Sequence, residues 1–384
     1  MKQIRAVALI AISTALLSRS GGRRKLWDLD LSKFTDHQAD TVAQVWGIRF
    51  SPDETKVAVG FGSRWNFDPR PRHVVVVALA QPQIALREFE LNARAYPLPS
   101  ENNIVWSPSS AILVTRSLTP VMFRIDGTAP CAFPKESDFG GFLSGDRMVI
   151  YFRDKAEMRI VGSDCSLIDS WMIDGRADVL DTSPEQDTLA VQTYSKPQAH
   201  STIELVAARD HGIKQHWMWD ALSTFEGGLL FSDRGRLVCS GNPRAEKLGA
   251  DPACWDTRTG AKTVEIDKVA VDWQGIASAG GDLLAITDSK YVSHQGKVWV
   301  FLDMNNDYSV PQRRLLWNVR TGKEIASWGE LTMPWGGFQQ KELWGRDLKE
   351  ATTMTTPFVL SLSPTGKYVA EGGSGSVSVY SVQP

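Results

Sequence analysis

GIRFSPDETKVAVG, at Gly47–Gly60, places two apolar segments on either side of one polar corner. Ile48 and Phe50 alternate with Arg49 before the corner, and Val57, Ala58 and Val59 follow it. Pro52 presets the backbone for the first corner position, and Ser51 and Asp53 suit the positions around it. Period-2 alternation interrupted by such a corner predicts a β-hairpin. The phrase returns at Asn103–Thr115 (NIVWSPSSAILVT), Val179–Val191 (VLDTSPEQDTLAV) and Gly228–Ser240 (GLLFSDRGRLVCS). It returns again at Gly275–Thr287 (GIASAGGDLLAIT) and Val359–Glu371 (VLSLSPTGKYVAE), and in weaker form at Gly140–Phe152 (GGFLSGDRMVIYF).

A second hairpin follows each copy. CWDTRTGAKTVEI at Cys254–Ile266 and LWNVRTGKEIASW at Leu316–Trp328 are the clearest, and FRIDGTAPCAF at Phe123–Phe133 and RIVGSDCSLID at Arg159–Asp169 are weaker versions. Each unit thus has four strands, a to d, except the last, which ends on VSVYSV at Val377–Val382. LWDLDLSKF at Leu26–Phe34 supplies the missing d strand from the other end of the chain. The expected fold class is all-β: a seven-bladed β-propeller of four-stranded antiparallel blades, closed by the N-terminal strand pairing with the last blade. No composition shift marks a linker, so residues 24–384 read as a single propeller domain. The phrase resembles the bacterial relatives of Trp-Asp (WD) repeat propellers. The resemblance rests on the SPD and SPTGK corners, on Trp255-Asp256 with TRTG, and on Trp317-Asn318 with RTGK. The Gly-His pair that usually precedes strand a is absent. The resemblance implies the fold and no particular member's function.

Composition fits a globular chain: 384 residues, 42% hydrophobic and 22% charged. A net charge of -2 argues against a general nucleic-acid binder, and no nucleic-acid partner is expected. Residues 1–20 read as a signal peptide or N-terminal anchor, because Lys2 and Arg5 precede an apolar run from Ala6 to Leu17. A buried first helix is the other reading of that run. The run is too short to span a bilayer as a helix, and no membrane span is expected beyond an uncleaved signal anchor. The export reading gives a periplasmic or extracellular location, against a cytoplasmic one. The four cysteines hold no C-x-x-C motif. Cys239 and Cys254 fall on neighbouring strands b and c, where a disulfide would clamp the base of the intervening loop. Cys131 and Cys165 fall near c–d turns of adjacent units and form a second candidate pair; four buried thiols are the alternative.

Tight turns all join a to b and c to d, and therefore share one face of a ring. The long insertions, at 61–72, 92–102, 240–253, 288–313 and 329–357, all join b to c or d to the next a. Long loops on a rigid scaffold are where recognition concentrates. They carry the candidate binding residues Trp65, Arg70 and Arg72, and Trp335, Phe338 and Trp344. Aromatic and Arg side chains bury large area while keeping a polar handle; the same aromatics could instead seal the ring under their own loops. No G-x-S-x-G elbow, phosphate loop, H-E-x-x-H or dinucleotide fingerprint occurs, and no catalytic residue, metal site or cofactor is assigned. The expected function is an exported, non-catalytic scaffold that binds a protein or small ligand through one face. The alternative is a propeller hydrolase or lyase acting on a peptide, lactone or sugar, with acids and histidines gathered at the channel mouth.

Overall fold

The computed structural model describes residues 23–34, 44–62, 72–91, 103–116, 120–128, 131–134, 136–173, 177–195, 200–219, 229–232, 234–240, 253–266, 271–292, 308–328, 359–373 and 375–382. Strand β1 (Arg23–Asp30) comes first in the chain. Blade 1 is β2 (Gln44–Phe50), β3 (Lys56–Gly62), β4 (Arg72–Ala78) and β5 (Gln81–Leu91). Blade 2 holds β6 (Ile104–Trp106), β7 (Ile112–Thr115) and β8 (Val121–Arg124). Blade 3 is β9 (Asp138–Phe142), β10 (Met148–Phe152), β11 (Glu157–Val161) and β12 (Leu167–Met172). Blade 4 is β13 (Ala177–Ser183), β14 (Thr188–Ser195), β15 (His200–Ala207) and β16 (Ile213–Trp219). Blade 5 is β17 (Leu229–Ser232), β18 (Leu237–Ser240), β19 (Ala253–Asp256) and β20 (Lys262–Glu265). Blade 6 is β21 (Val271–Gly280), β22 (Leu283–Val292), β23 (Tyr308–Asn318) and β24 (Lys323–Trp328). Blade 7 combines β25 (Val359–Leu362), β26 (Tyr368–Gly372) and β27 (Ser376–Val382) with β1. No α-helix occurs among the described residues.

All strand pairs within the sheets are antiparallel, and consecutive strands are neighbours, apart from β1, which pairs with β27 from Arg23↔Val382 to Asp30↔Ser376. The innermost strands β2, β6, β9, β13, β17, β21 and β25 touch in that order, and β25 touches β2 again. The sheets therefore form a ring of seven blades around an axis.

The core lies between the blades rather than at the centre of the ring. Each buried cluster among the described residues spans one blade boundary. Val74–Val77 shows why. Val75 and Val77 pack toward blade 7, Val74 and Val76 pack toward blade 2, and all four are fully buried. A strand covered on both faces reads as a continuous apolar run. Burying one such side chain contributes about 1.5–3 kcal/mol, so every blade needs both neighbours.

Two details differ from the sequence expectation. Among the described residues blade 2 shows three strands, because Cys131–Phe133, expected in its outer strand, has no strand assignment. Pro134 has no N–H to give to a ladder, and Cys131 is bonded to Cys165 of blade 3. The 288–313 insertion is shorter than read, since β22 and β23 stay paired out to Val292↔Tyr308.

Candidate functional site: a locked turn face, a loop face and an axial cluster

At one end of the ring, the a–b turns join each blade to the next. In blade 1, Ser51 closes its own corner: its backbone N–H donates to Lys56 O, and its Oγ accepts from Lys56 N. Ser107 and Ser363 do the same in blades 2 and 7. From there the turns link sideways. Asp53 N donates to Ser110 Oγ (3.3 Å), Ser109 N to Asp146 Oδ1 (3.0 Å), and Ser144 N to Asp187 Oδ1 (2.9 Å). Between blades 4 and 5, Gly235 (φ +79) sits so close to Ser183 that a Cβ would fall 2.0 Å from its Oγ. Ser232 Oγ donates to Gly281 O (3.0 Å) and Gly281 N to Pro364 O (2.8 Å). The circuit ends where Thr365 donates through N and Oγ1 to Glu54 Oε1, at 2.8 and 2.6 Å.

The c–d turns use a different device. Asp256 Oδ1 accepts from Arg258 N, Thr259 N and Thr259 Oγ1, at 3.0, 2.8 and 2.9 Å, and Gly260 takes the left-handed position (φ +72). The same three bonds surround Asn318 Oδ1, from Arg320 N, Thr321 N and Thr321 Oγ1, with Gly322 at φ +63. The acid of the Trp-Asp pair is thus a turn cap, and Asn318 performs its role in blade 6. Outer strands then reach over to the following blade's c–d turn. Trp27 Nε1 donates to Leu79 O (3.0 Å), Arg87 Nε to Ile125 O (2.8 Å), and Trp217 Nε1 to Gly260 O (2.8 Å). Trp171 stacks on His211 at 4.2 Å, while Asp169 Oδ2 lies 2.9 Å from His211 Nε2.

The strand ends that lead into residues 63–71, 92–102, 241–252, 293–307 and 329–358 all lie at the opposite end of the ring. Trp65, Arg70, Trp335, Phe338 and Trp344 lie outside the described residues. Arg72 is described: it opens β4, is buried (8% exposed), and packs against Gly62. Cys239 and Cys254 stand directly opposite one another on β18 and β19 and are disulfide-bonded, below the 241–252 connection. Cys131 and Cys165 form the second bond, which accounts for all four cysteines.

One polar cluster of the inner strands carries no sequence expectation. Arg116, just after β7, donates through Nη2 to Gly140 O of blade 3 and lies 3.9 Å from Asp181 Oδ1 of blade 4. Asp181 Oδ2 accepts from Phe231 N of blade 5 at 2.8 Å. Burial pushes the Asp181 carboxyl above the usual range, against the pull of Arg116, the Phe231 N–H and Arg49. The bonds of this cluster brace blades 2 to 5 near the axis. Among the described residues, no group of three His, Cys, Asp or Glu could hold a metal ion, and no helix is long and apolar enough to cross a membrane.

Comparison with solved structures places the chain in the class defined by this geometry, the seven-bladed β-propellers. A chain of the structure titled "Crystal Structure of Mitotic Checkpoint Complex" superposes with a TM-score of 0.56, over 94% of this chain and 96% of that one, at 12% identity. No protein-family model matches the sequence, and no characterised protein matches it either.

Proposed function

We propose that this chain is an exported, non-catalytic propeller that binds a protein or small ligand through its long b–c and d–a connections. The observation that carries the reading is the asymmetry of the ring. Its a–b and c–d turns are bonded blade to blade, while the strand ends that lead into residues 63–71 and 329–358, which carry the proposed anchors, lie at the other end. A rigid ring beneath long loops presents recognition residues at low ordering cost. Trp65, Arg70, Trp335, Phe338 and Trp344 are the proposed anchors, with Arg72 supporting them from the start of β4. Export is supported by the basic start with its apolar run and by two disulfides, which persist in oxidising compartments. The matched solved chain belongs to a mitotic checkpoint complex, an instance of this architecture within an assembly.

The test is affinity capture with the full chain beside a chain lacking residues 329–357 and a Trp65→Ala variant. The reading expects a specific partner that the full chain retains and both altered chains lose, with thermal unfolding of the ring unchanged. Equal recovery on all three chains contradicts it. The alternative enzyme reading has one observation in its favour, the raised pKa of Asp181 near the axis. A hydrolytic activity abolished by Asp181→Asn in a folded ring would establish that alternative instead.

A further inference from the structure

The turn end of the ring is electrically two-sided. At the turns of blades 1 to 3 stand Asp53, Glu54, Asp126, Asp146 and Asp164, and the cations beside them, Lys56, Arg124 and Arg147, each lie against a carboxylate. The turns of blades 5 to 7 present cations to solvent instead. Arg234 and Arg236 stand on the a–b turn of blade 5, Arg258 on its c–d turn, Lys323 where β24 leaves the blade 6 turn, and Lys367 on the a–b turn of blade 7, all exposed. Arg24, also exposed, joins them, because β1 begins at this end, with Arg23 opposite Val382. Of the acids described there, Asp256 caps its own turn, Asp282 accepts from Arg320 Nε at 2.8 Å, and Glu324 follows Lys323 along β24. Glu54 marks the border, with its carboxylate on Thr365 of blade 7.

We propose that the turn end of blades 5 to 7 docks on a membrane surface bearing anionic phospholipid. Charge complementarity is the first argument: basic residues grouped on one surface are drawn to anionic headgroups, each worth about fivefold in binding. The second is where the chain enters the ring. The apolar run Ala6–Leu17 lies just ahead of β1, and the six residue steps from Leu17 to Arg23 span at most about 20 Å. Arg23 stands at the turn end of blade 7, beside the basic half. With that run in a bilayer, the headgroups come within reach of these turns, whereas a soluble polyanion has no such tether. An apolar segment and a basic patch together make a two-signal anchor, stronger than either alone. The bonds between turns hold the cations on one rigid surface, so little ordering is required on docking. In this orientation the strand ends that lead into residues 329–358 point away from the membrane.

Flotation of the full chain with phosphatidylcholine vesicles, with and without phosphatidylglycerol, tests the docking. The apolar run is common to every arm, so the readout is the preference for the anionic vesicles rather than binding itself. The expected result is a clear preference that fades as salt is raised. The double change Arg258→Glu with Lys323→Glu should reduce that preference by at least about 25-fold, two cations at about fivefold each. Arg153→Glu with Lys155→Glu makes the same change of net charge on the b–c connection of blade 3, at the other end of the ring, and should keep the preference. Circular dichroism and thermal unfolding matching the wild type establish that both altered chains are folded. Equal binding to the two vesicle types, a preference that survives the blade 5 and 6 changes, or one lost equally in the blade 3 control overturns the proposal. So does binding to soluble poly-glutamate in place of the vesicles. The readout does not involve the partner of the long connections, so it stands or falls apart from that reading.

Discussion

Asp256 and Asn318 perform one task with different chemistry. Each side-chain oxygen gathers two turn N–H groups and a threonine hydroxyl beneath a left-handed glycine. Those Thr259 and Arg258 bonds hold the Asp256 carboxyl below the usual carboxylate range. Since Asn318 works uncharged, Asp256→Asn should leave stability nearly unchanged, whereas Asp256→Ala should cost about 1 kcal/mol in urea unfolding at neutral pH. The sign with pH follows from the lowered pKa. A carboxyl depressed in the folded state contributes its stability above the unfolded pKa of about 3.8, and loses it as pH falls through the folded value. The Asp256→Ala penalty should therefore shrink in strong acid. A penalty that grows on acidification, or an Asn variant as unstable as the Ala one, would contradict the turn-cap role.

At the scale of elements, the ring is held by repeated reaches from one blade's outer strand to the next blade's turn. Trp27 to Leu79 O and Trp217 to Gly260 O are separate copies of that contact. Trp27→Phe and Trp217→Phe each keep most of the ring and remove one N–H donor. Each should lower the unfolding free energy by about 1 kcal/mol. Lying in different blades with no shared partner, the two losses should add. Urea midpoints of the single and double variants check this, and a tryptophan whose replacement has no effect would remove that contact from the account. Elements were unevenly legible in the sequence. The a–b hairpins stand out because Ser-Pro corners and alternation are local chemistry, visible within a dozen residues. The outer strand of blade 2 misleads, because alternation through Cys131–Phe133 reads as a strand, while Pro134 and the bond to Cys165 decide otherwise. Of the two candidate disulfides, Cys239–Cys254 follows from neighbouring strands b and c, whereas Cys131–Cys165 joins turn regions of adjacent blades; both bonds are present, in place of the alternative of four free thiols.

At the scale of the molecule, the continuous buried runs such as Val74–Val77 only make sense once both neighbouring blades are present. That requirement, together with β1 lying beside β27, couples the first and last residues of the ring. The cluster of Arg116 and Asp181 was not legible, because its members come from blades far apart in the chain and meet only near the axis. Arg72, read from the sequence beside Trp65 and Arg70, is the one of the three that the structure describes: it opens strand β4 and is buried there. What the sequence pattern and the ring share is the set of short a–b turns, which lie at one end of the ring and are bonded blade to blade; that the long connections form a recognition face at the other end is the proposal.

That sidedness is tested most directly by hydroxyl-radical footprinting of the full chain with and without its captured partner. The account predicts protection of side chains within residues 63–71 and 329–358, with Asp53, Ser109, Asp146 and Thr365 on the turn face labelled as in the free chain. Protection centred on those turns, with the long connections unchanged, would contradict it.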